Sequence, residues 1–351
     1  MKKELLMASA LVSTLGVASV AQAVTATTAG SLKIGAEFES ADDSTTDSNT
    51  VMDQSNFNIS LSETTDGGTT ISSSFEIVDE GTVAADDDNA IKLTFSDGTA
   101  LELLNAGNAA GTHVVAVPGA GGEQGIGGTS SNNAPTDVDF GATSTALGVE
   151  WHSAADFLAD GLKVSASFST DNGAAKSITA RVESSFGVGA TYVTTAGDTT
   201  LTIGGGVSGS EVVRTGTQLT ADQEGFNLGI SAVTGDLTVG VAYGDGDTFV
   251  DEGASVTSQV DGSVVTAGVS YVTGDITLAL NTTAGEAKDS TTIGTAGTTD
   301  DSHDATSASV TYAVASGVSA VVGYTTVDQN NEGISSTDGG SAWYVGASMS
   351  F

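Results

Sequence analysis

Apolar residues recur at every second position over many short stretches of this chain, and no other feature of the sequence constrains the fold as tightly. Leu32, Ile34, Ala36 and Phe38 alternate with Lys33, Gly35, Glu37 and Glu39, and Leu162, Val164, Ala166 and Phe168 alternate with Lys163, Ser165 and Ser167. The last such stretch sets Trp343, Val345, Ala347, Met349 and Phe351 against Tyr344, Gly346, Ser348 and Ser350. Side chains of a strand point alternately to its two faces, so each stretch offers one face to an apolar medium and the other to water. Helix is not an alternative. The longest apolar candidate, Tyr312 to Tyr324, is interrupted by Ser and Gly and falls short of the roughly 20 residues a membrane helix needs.

The connections between these stretches alternate in length. Short turns are expected near Thr65–Gly68, Asp97–Gly98, Ser153–Asp160, Ala196–Asp198, Gly235–Asp236, Gly274–Asp275 and Ala315–Gly317. Long acidic or Gly-rich loops are expected at about 42–52, 80–88, 106–142, 170–176, 209–223, 245–262, 284–304 and 328–340. One stretch tests the count. Ile178, Ala180, Val182, Phe186, Val188, Ala190 and Tyr192 share a parity across Gly187, with Ser184 alone out of character. A turn at Gly187 would disturb that register, so Ser177 to Val193 reads as one strand. Short turns on one side and long loops on the other then predict sixteen strands of a transmembrane antiparallel up-and-down β-barrel, an all-β fold with both ends in the periplasm. A secreted solenoid needs a repeat of fixed length, which the variable strand spacing does not supply.

The N-terminus has its own pattern. Lys2-Lys3 precedes an apolar run from Leu5 to Ala21, and Ala21-Gln22-Ala23 fits small-x-small cleavage. Residues 1–23 are therefore expected to be a cleaved signal peptide, and 24–351 a single barrel domain. The chain has no cysteine, which excludes disulfides, thiolate metal sites and a cysteine nucleophile. Its net charge is −35, and nucleic acid is excluded as a partner because phosphates need Lys and Arg to neutralise them. Such a charge raises the local concentration of cations around any opening it surrounds.

The whole stretch from residue 24 onward resembles the Gram-negative general porins of alphaproteobacteria. Ser31-Leu32-Lys33-Ile34-Gly35 is similar to their opening strand, and Asp97-Gly98-Thr99-Ala100-Leu101-Glu102-Leu103 to the hairpin before their long third loop. Leu147-Gly148-Val149-Glu150-Trp151-His152 stands where they have a strand leading to a Ser-Pro turn, and the chain ends in Phe351 as they do. It departs from their common Arg-Tyr-Asp-Ser-Pro form at Val149-Glu150-Trp151-His152-Ser153. The resemblance implies a homotrimer in outer-membrane lipid and lipopolysaccharide. It also implies that the third loop folds into each pore, and that the channel passes small hydrophilic solutes and ions.

Lys33, Lys92, Lys163 and Arg181 occupy the polar parity of their strands, where a lipid-facing charge at midplane would cost about 2–4 kcal/mol. With the third loop inside, the residues expected to line a constriction are Lys33, Glu37, Lys92, Glu102, Asp137, Asp139, Glu150, Lys163, Arg181 and Glu183. The loop carboxylates would face a basic wall, and such charge clusters set ion preference. No cofactor is expected. Asp245, Asp247 and Asp251, in one expected loop, are candidates for bound calcium through oxygen ligands. His113, His152 and His303 are scattered without metal-ligand spacing, and Gly204 to Gly209 matches G-x-G-x-x-G without the following helix that a dinucleotide requires. No nucleophile–base constellation suggests an enzyme. Two readings remain open: a cation-preferring passive channel, and a non-channel surface β-protein acting as an adhesin or structural component.

Overall fold

The computed structural model describes residues 24–41, 48–79, 90–104, 108–121, 147–170, 180–214, 219–251, 257–288, 301–330 and 339–351. Its sixteen antiparallel strands close into one barrel, each pairing with its neighbours in sequence and the first with the last. They are β1 (Thr25–Ala41), β2 (Ser48–Thr64), β3 (Thr70–Asp79), β4 (Ile91–Thr94), β5 (Ala100–Leu103), β6 (Leu147–His152), β7 (Leu162–Thr170), β8 (Ala180–Ala196), β9 (Thr199–Arg214), β10 (Leu219–Thr234), β11 (Leu237–Asp251), β12 (Thr257–Thr273), β13 (Ile276–Lys288), β14 (Asp301–Ala315), β15 (Val318–Asn330) and β16 (Gly340–Ser350). The strand count and the all-β class agree with the sequence.

Closure removes the exposed sheet edges that an open sheet of this length would carry. At the seam Ser31 pairs with Ser350 and Ala41 with Gly340. Gly30 and Phe351 exchange two backbone hydrogen bonds of 3.1 Å, so the terminal residue belongs to the ladder.

All seven short turns fall where the sequence placed them, each with a glycine at positive φ. Gly197-Asp198, Gly235-Asp236 and Gly274-Asp275 are two-residue hairpins with the glycine first, at φ 56° to 64°. A left-handed first residue followed by an ordinary second one is a type II′ turn, whose twist matches that of the flanking strands.

The alternation resolves into an outside and an inside. Phe168, Phe186, Val207, Leu228, Val241 and Trp343 are exposed on the outer face, as an apolar band in lipid requires. Tyr344, Glu150, Ser165, Gln223 and Asn227 are buried on the inner one.

The external boundaries differ from the sequence reading. Two expected loops are largely strand: β9 and β10 pair out to Arg214 and Leu219, and β11 and β12 out to Asp251 and Thr257. Beyond the membrane both faces of a strand are wet, so alternation stops while the ladder continues. Asp245 and Asp247 therefore lie in β11, paired with Ser263 and Asp261, rather than converging from a loop. Tyr243 donates a 2.8 Å hydrogen bond to Asp245.

β8 is one strand through Gly187, as expected, but its parity breaks. Its register with β9 shifts between Val182 and Ser184, leaving Glu183 as the extra residue of a bulge at the out-of-character position.

Candidate functional site: a third loop seated on the barrel wall

The third external connection, residues 104–146 (L3), leaves β5 at Leu104. This residue adopts φ 61° and donates to the Gly148 carbonyl at 2.9 Å. A left-handed non-glycine is uncommon, and here it turns the chain out of the sheet. The described part, residues 108–121, lies inside the barrel. It opens with a single helical turn, α1 (Ala109–Thr112), capped by Asn108, whose side chain accepts from Ala110 N at 3.1 Å.

From α1 the segment follows the inner wall. Ala109 N donates to Ser167 Oγ of β7 at 2.9 Å, and Asn227 of β10 donates to the Ala110 carbonyl at 3.1 Å. Farther on, Ala120 N donates to Asn281 of β13 at 2.8 Å and Gly121 N to Ser309 of β14 at 2.7 Å. These tethers carry it from β7 to β14, past half of the strands.

The wall beneath is built of glycine. A Cβ at Gly189 would sit 2.5 Å from the Ala109 carbonyl oxygen, one at Gly206 2.5 Å from Ala110 Cα, and one at Gly204 2.7 Å from the His113 carbonyl oxygen. At Gly229 it would meet Val115 Cβ at 2.7 Å, and at Gly240 Pro118 Cδ at 3.0 Å. Every one of these glycines occupies the inner parity of its strand. Two backbones can approach this closely only where no side chain intervenes. The G-x-G-x-x-G run is thus part of a loop seat. Its signal in the sequence is glycine at every second position on neighbouring strands.

At the root of L3, β4 to β7 bring charged groups together. Lys92, Glu102 and Glu150 are successive cross-strand partners. Lys92 Nζ donates to Glu102 Oε1 at 2.5 Å, and Thr112 Oγ1 of L3 donates to Glu150 Oε1 at 2.8 Å. His152 lies 3.3 Å from Glu102 and 3.8 Å from Glu150. His113 of L3 bonds Thr191 at 2.7 Å and Ser165 at 2.9 Å, and Ser165 also bonds His152 at 2.9 Å. Burial first, then the nearby His152 and Lys163, hold the His113 imidazole below its usual pKa. Glu102, Glu150 and His152 offer ligand atoms within 4.8 Å of one another. Lys92 supplies a positive charge at Glu102, and Thr112 ties Glu150 to the loop.

Of the residues expected at a constriction, Lys92, Glu102 and Glu150 meet here, beside Lys163 on β7. Lys33 and Glu37 lie on β1, three strands around the barrel from β4, with Glu37 buried. Asp137 and Asp139 fall outside the described residues. Within 108–121 there is no carboxylate. Among the described residues at the root of L3, acids and bases pair on the wall itself. Arg181 pairs with Val213 of β9, beyond the register shift between Val182 and Ser184. It also lies six residues, about 20 Å along the strand, beyond Gly187 under L3. Glu183 is the exposed bulge residue itself. His113, one of three histidines scattered along the sequence, is the one that joins loop to wall.

A closed sixteen-stranded barrel with a lipid-facing band and a loop along its inner wall defines an outer-membrane channel protein. The profile of the Gram-negative porins matches residues 8–332, and the chain belongs to that family. Its place is the outer membrane, and family and fold are those of a channel rather than an enzyme. The solved structures it resembles include an anion-selective porin from Comamonas acidovorans, 12% identical with a TM-score of 0.66 over 93% of this chain and 100% of that one. The trimer form of in-vitro folded OmpT, an outer membrane protein of Vibrio cholerae, is 15% identical with a TM-score of 0.60 over 94% and 100%. The outer membrane channel DcaP of Acinetobacter baumannii is 12% identical with a TM-score of 0.62 over 95% and 100%. A search of the curated proteins finds no match.

Proposed function

We propose that this porin is a water-filled, cation-preferring channel for passive diffusion of small hydrophilic solutes and ions. The observation that carries the reading is where L3 runs: residues 108–121 lie against the wall, so the segment narrows the lumen from one side. The charge supports the preference. The chain carries −35, and of the two wall acids Glu102 and Glu150 only Glu102 is bonded to a lysine, Lys92. An anion-selective protein shares the fold, so selectivity rests on side chains and not on architecture.

The working form is a homotrimer in lipid and lipopolysaccharide, supported by the trimer form of the Vibrio cholerae relative. Maturation removes residues 1–23, as the basic, apolar and small-residue leader suggests. Reversal potentials across a planar bilayer under a salt gradient test the preference. Cation selectivity at 0.1 M salt should weaken at 1 M, because the Debye length falls from about 10 Å to about 3 Å. Anion selectivity at low salt would overturn it.

A further inference from the structure

Three side chains on two neighbouring strands converge on one point of the inner wall. Glu150 and His152 are two apart on β6 and so share one of its faces, and Glu102 of β5 is the cross-strand partner of Glu150. One ligand atom from each lies within 4.8 Å of the other two. The histidines are scattered along the sequence, and strand pairing brings this one to two carboxylates. The informative atom is His152 Nε2, which is buried, makes no hydrogen bond and stands 3.3 Å from Glu102 Oε1. Buried polar atoms are nearly always satisfied, so one that is not points to a missing partner.

A neighbouring hydroxyl indicates what kind of partner. Ser165 Oγ lies 2.9 Å from His152 Nδ1 and 2.9 Å from His113 Nε2, and a hydroxyl has one hydrogen. A hydrogen on His152 Nε2 would have the Glu102 carboxylate within reach, yet no hydrogen bond forms there. The hydrogen is therefore assigned to Nδ1, which donates to Ser165. Ser165 then donates to His113 Nε2, and His113 Nδ1–H to Thr191 Oγ1, 2.7 Å away. His152 Nε2 is left with a bare lone pair beside a carboxylate oxygen, two acceptors with no hydrogen to share. Metal-binding imidazoles are held in this way, with the second ring nitrogen donating to a fixed oxygen.

We propose that Glu102, Glu150 and His152 bind a divalent late first-row transition metal ion, for which zinc is the probe. Tetrahedral bonds of about 2.0–2.1 Å separate the ligand atoms of a zinc ion by about 3.3 Å. His152 Nε2 and Glu102 Oε1 already have that spacing. Glu150, 1% exposed and tied to Thr112, supplies the third ligand. Water from the lumen completes the shell, as in other zinc sites with three protein ligands. The imidazole nitrogen selects against calcium and magnesium, which take oxygen shells of about six or more ligands. Lys92 competes through its bond to Glu102, but 43% of its side chain is exposed, so it can turn into the lumen as the ion enters. Two carboxylates against one lysine leave a net negative charge that draws the ion in.

The site does not depend on conduction, so its test needs no channel recording. The purified barrel, stripped with a chelator, is titrated with zinc chloride, and bound zinc is measured after equilibrium dialysis in excess calcium. Wild type should hold one zinc per chain with a Kd tighter than about 10 μM. His152→Ala should lose that ion and keep only the weak binding of exposed acids. Cobalt in place of zinc should give the visible bands of a four-coordinate ion in wild type and not in His152→Ala. Lys92→Met, which removes the competing cation, should bind zinc about tenfold more tightly. Zinc uptake that calcium displaces, or a tight site that survives His152→Ala, would overturn the proposal. If His152→Ala does not fold, Lys92→Met decides, and an affinity that is unchanged or weaker counts against the site.

Discussion

Glu102 and Glu150 sit directly opposite each other on β5 and β6, two carboxylates in one cross-strand pair on the inner face of the barrel. Like charges in that position destabilise a sheet unless something neutralises them. Lys92 does so from the β4 side, and Thr112 and His152 hold Glu150 from the other. Lys92→Met should therefore lower the thermal stability of the barrel by about 1 kcal/mol, a value kept small because the lysine is partly exposed. Adding Glu102→Gln should recover most of the loss. A double-mutant cycle on unfolding midpoints measures the coupling, and additive losses would mean that the pair is not the source.

The glycine seat makes a steric prediction. At Gly206 a Cβ would stand 2.5 Å from Ala110 Cα, so Gly206→Val cannot be accommodated without lifting α1. The barrel should lose about 1–3 kcal/mol of stability, the usual cost of overpacking. Its conductance should fall as the loop moves inward. A Cβ at Gly119 would have nothing within 4 Å, so Gly119→Ala should be neutral in both measurements. Equal behaviour of the two variants would show that the seat does not hold the loop.

Arg181 and Lys163 should now behave differently. Lys163 is exposed on the inner parity of β7, next to the L3 root. Arg181 lies beyond the β8 bulge, opposite Val213. Lys163→Ser should shift reversal potentials towards cations, while Arg181→Ser should leave them where they are. The reverse result would place the basic wall at the outer end of β8.

Much of this was legible in the sequence because alternation and glycine-marked turns are local. The seven turns and the unbroken passage of β8 through Gly187 follow from residues close in the chain. The bulge at Glu183 left only a faint mark, one polar Ser184 in an apolar row. The lengths of β9 to β12 were hidden because strands above the membrane have no apolar face to alternate with. The L3 seat depends on glycines of several different strands meeting a distant loop, and His113 acquires its partners only when β7 and β8 are neighbours. Such contacts are products of closure and register, which no single stretch encodes.

The turn between β4 and β5 offers a pH test outside the membrane. Asp97 accepts from the Thr99 hydroxyl at 2.7 Å and from Thr99 N at 2.9 Å, and these bonds hold its pKa below the ordinary carboxylate value. A depressed folded-state pKa adds stability above the unfolded value, and that stability is lost as pH falls through the folded one. Asp97→Asn should therefore be less stable than wild type at neutral pH, with the difference closing below about pH 3.8. Unfolding midpoints of both proteins across that range check it, and a gap independent of pH would contradict the turn's electrostatic role.

The most direct test of a lumen narrowed by a wall-seated loop is single-channel conductance of the wild type beside a variant lacking residues 114–121. Both proteins should give discrete, ohmic steps, and the shortened loop should give clearly larger ones, since Val115, Val117 and Pro118 no longer occupy the space along β9 to β12. Steps of unchanged size would show that this segment does not limit the pore. Complete absence of steps from folded wild-type protein would show that the barrel is not an open channel.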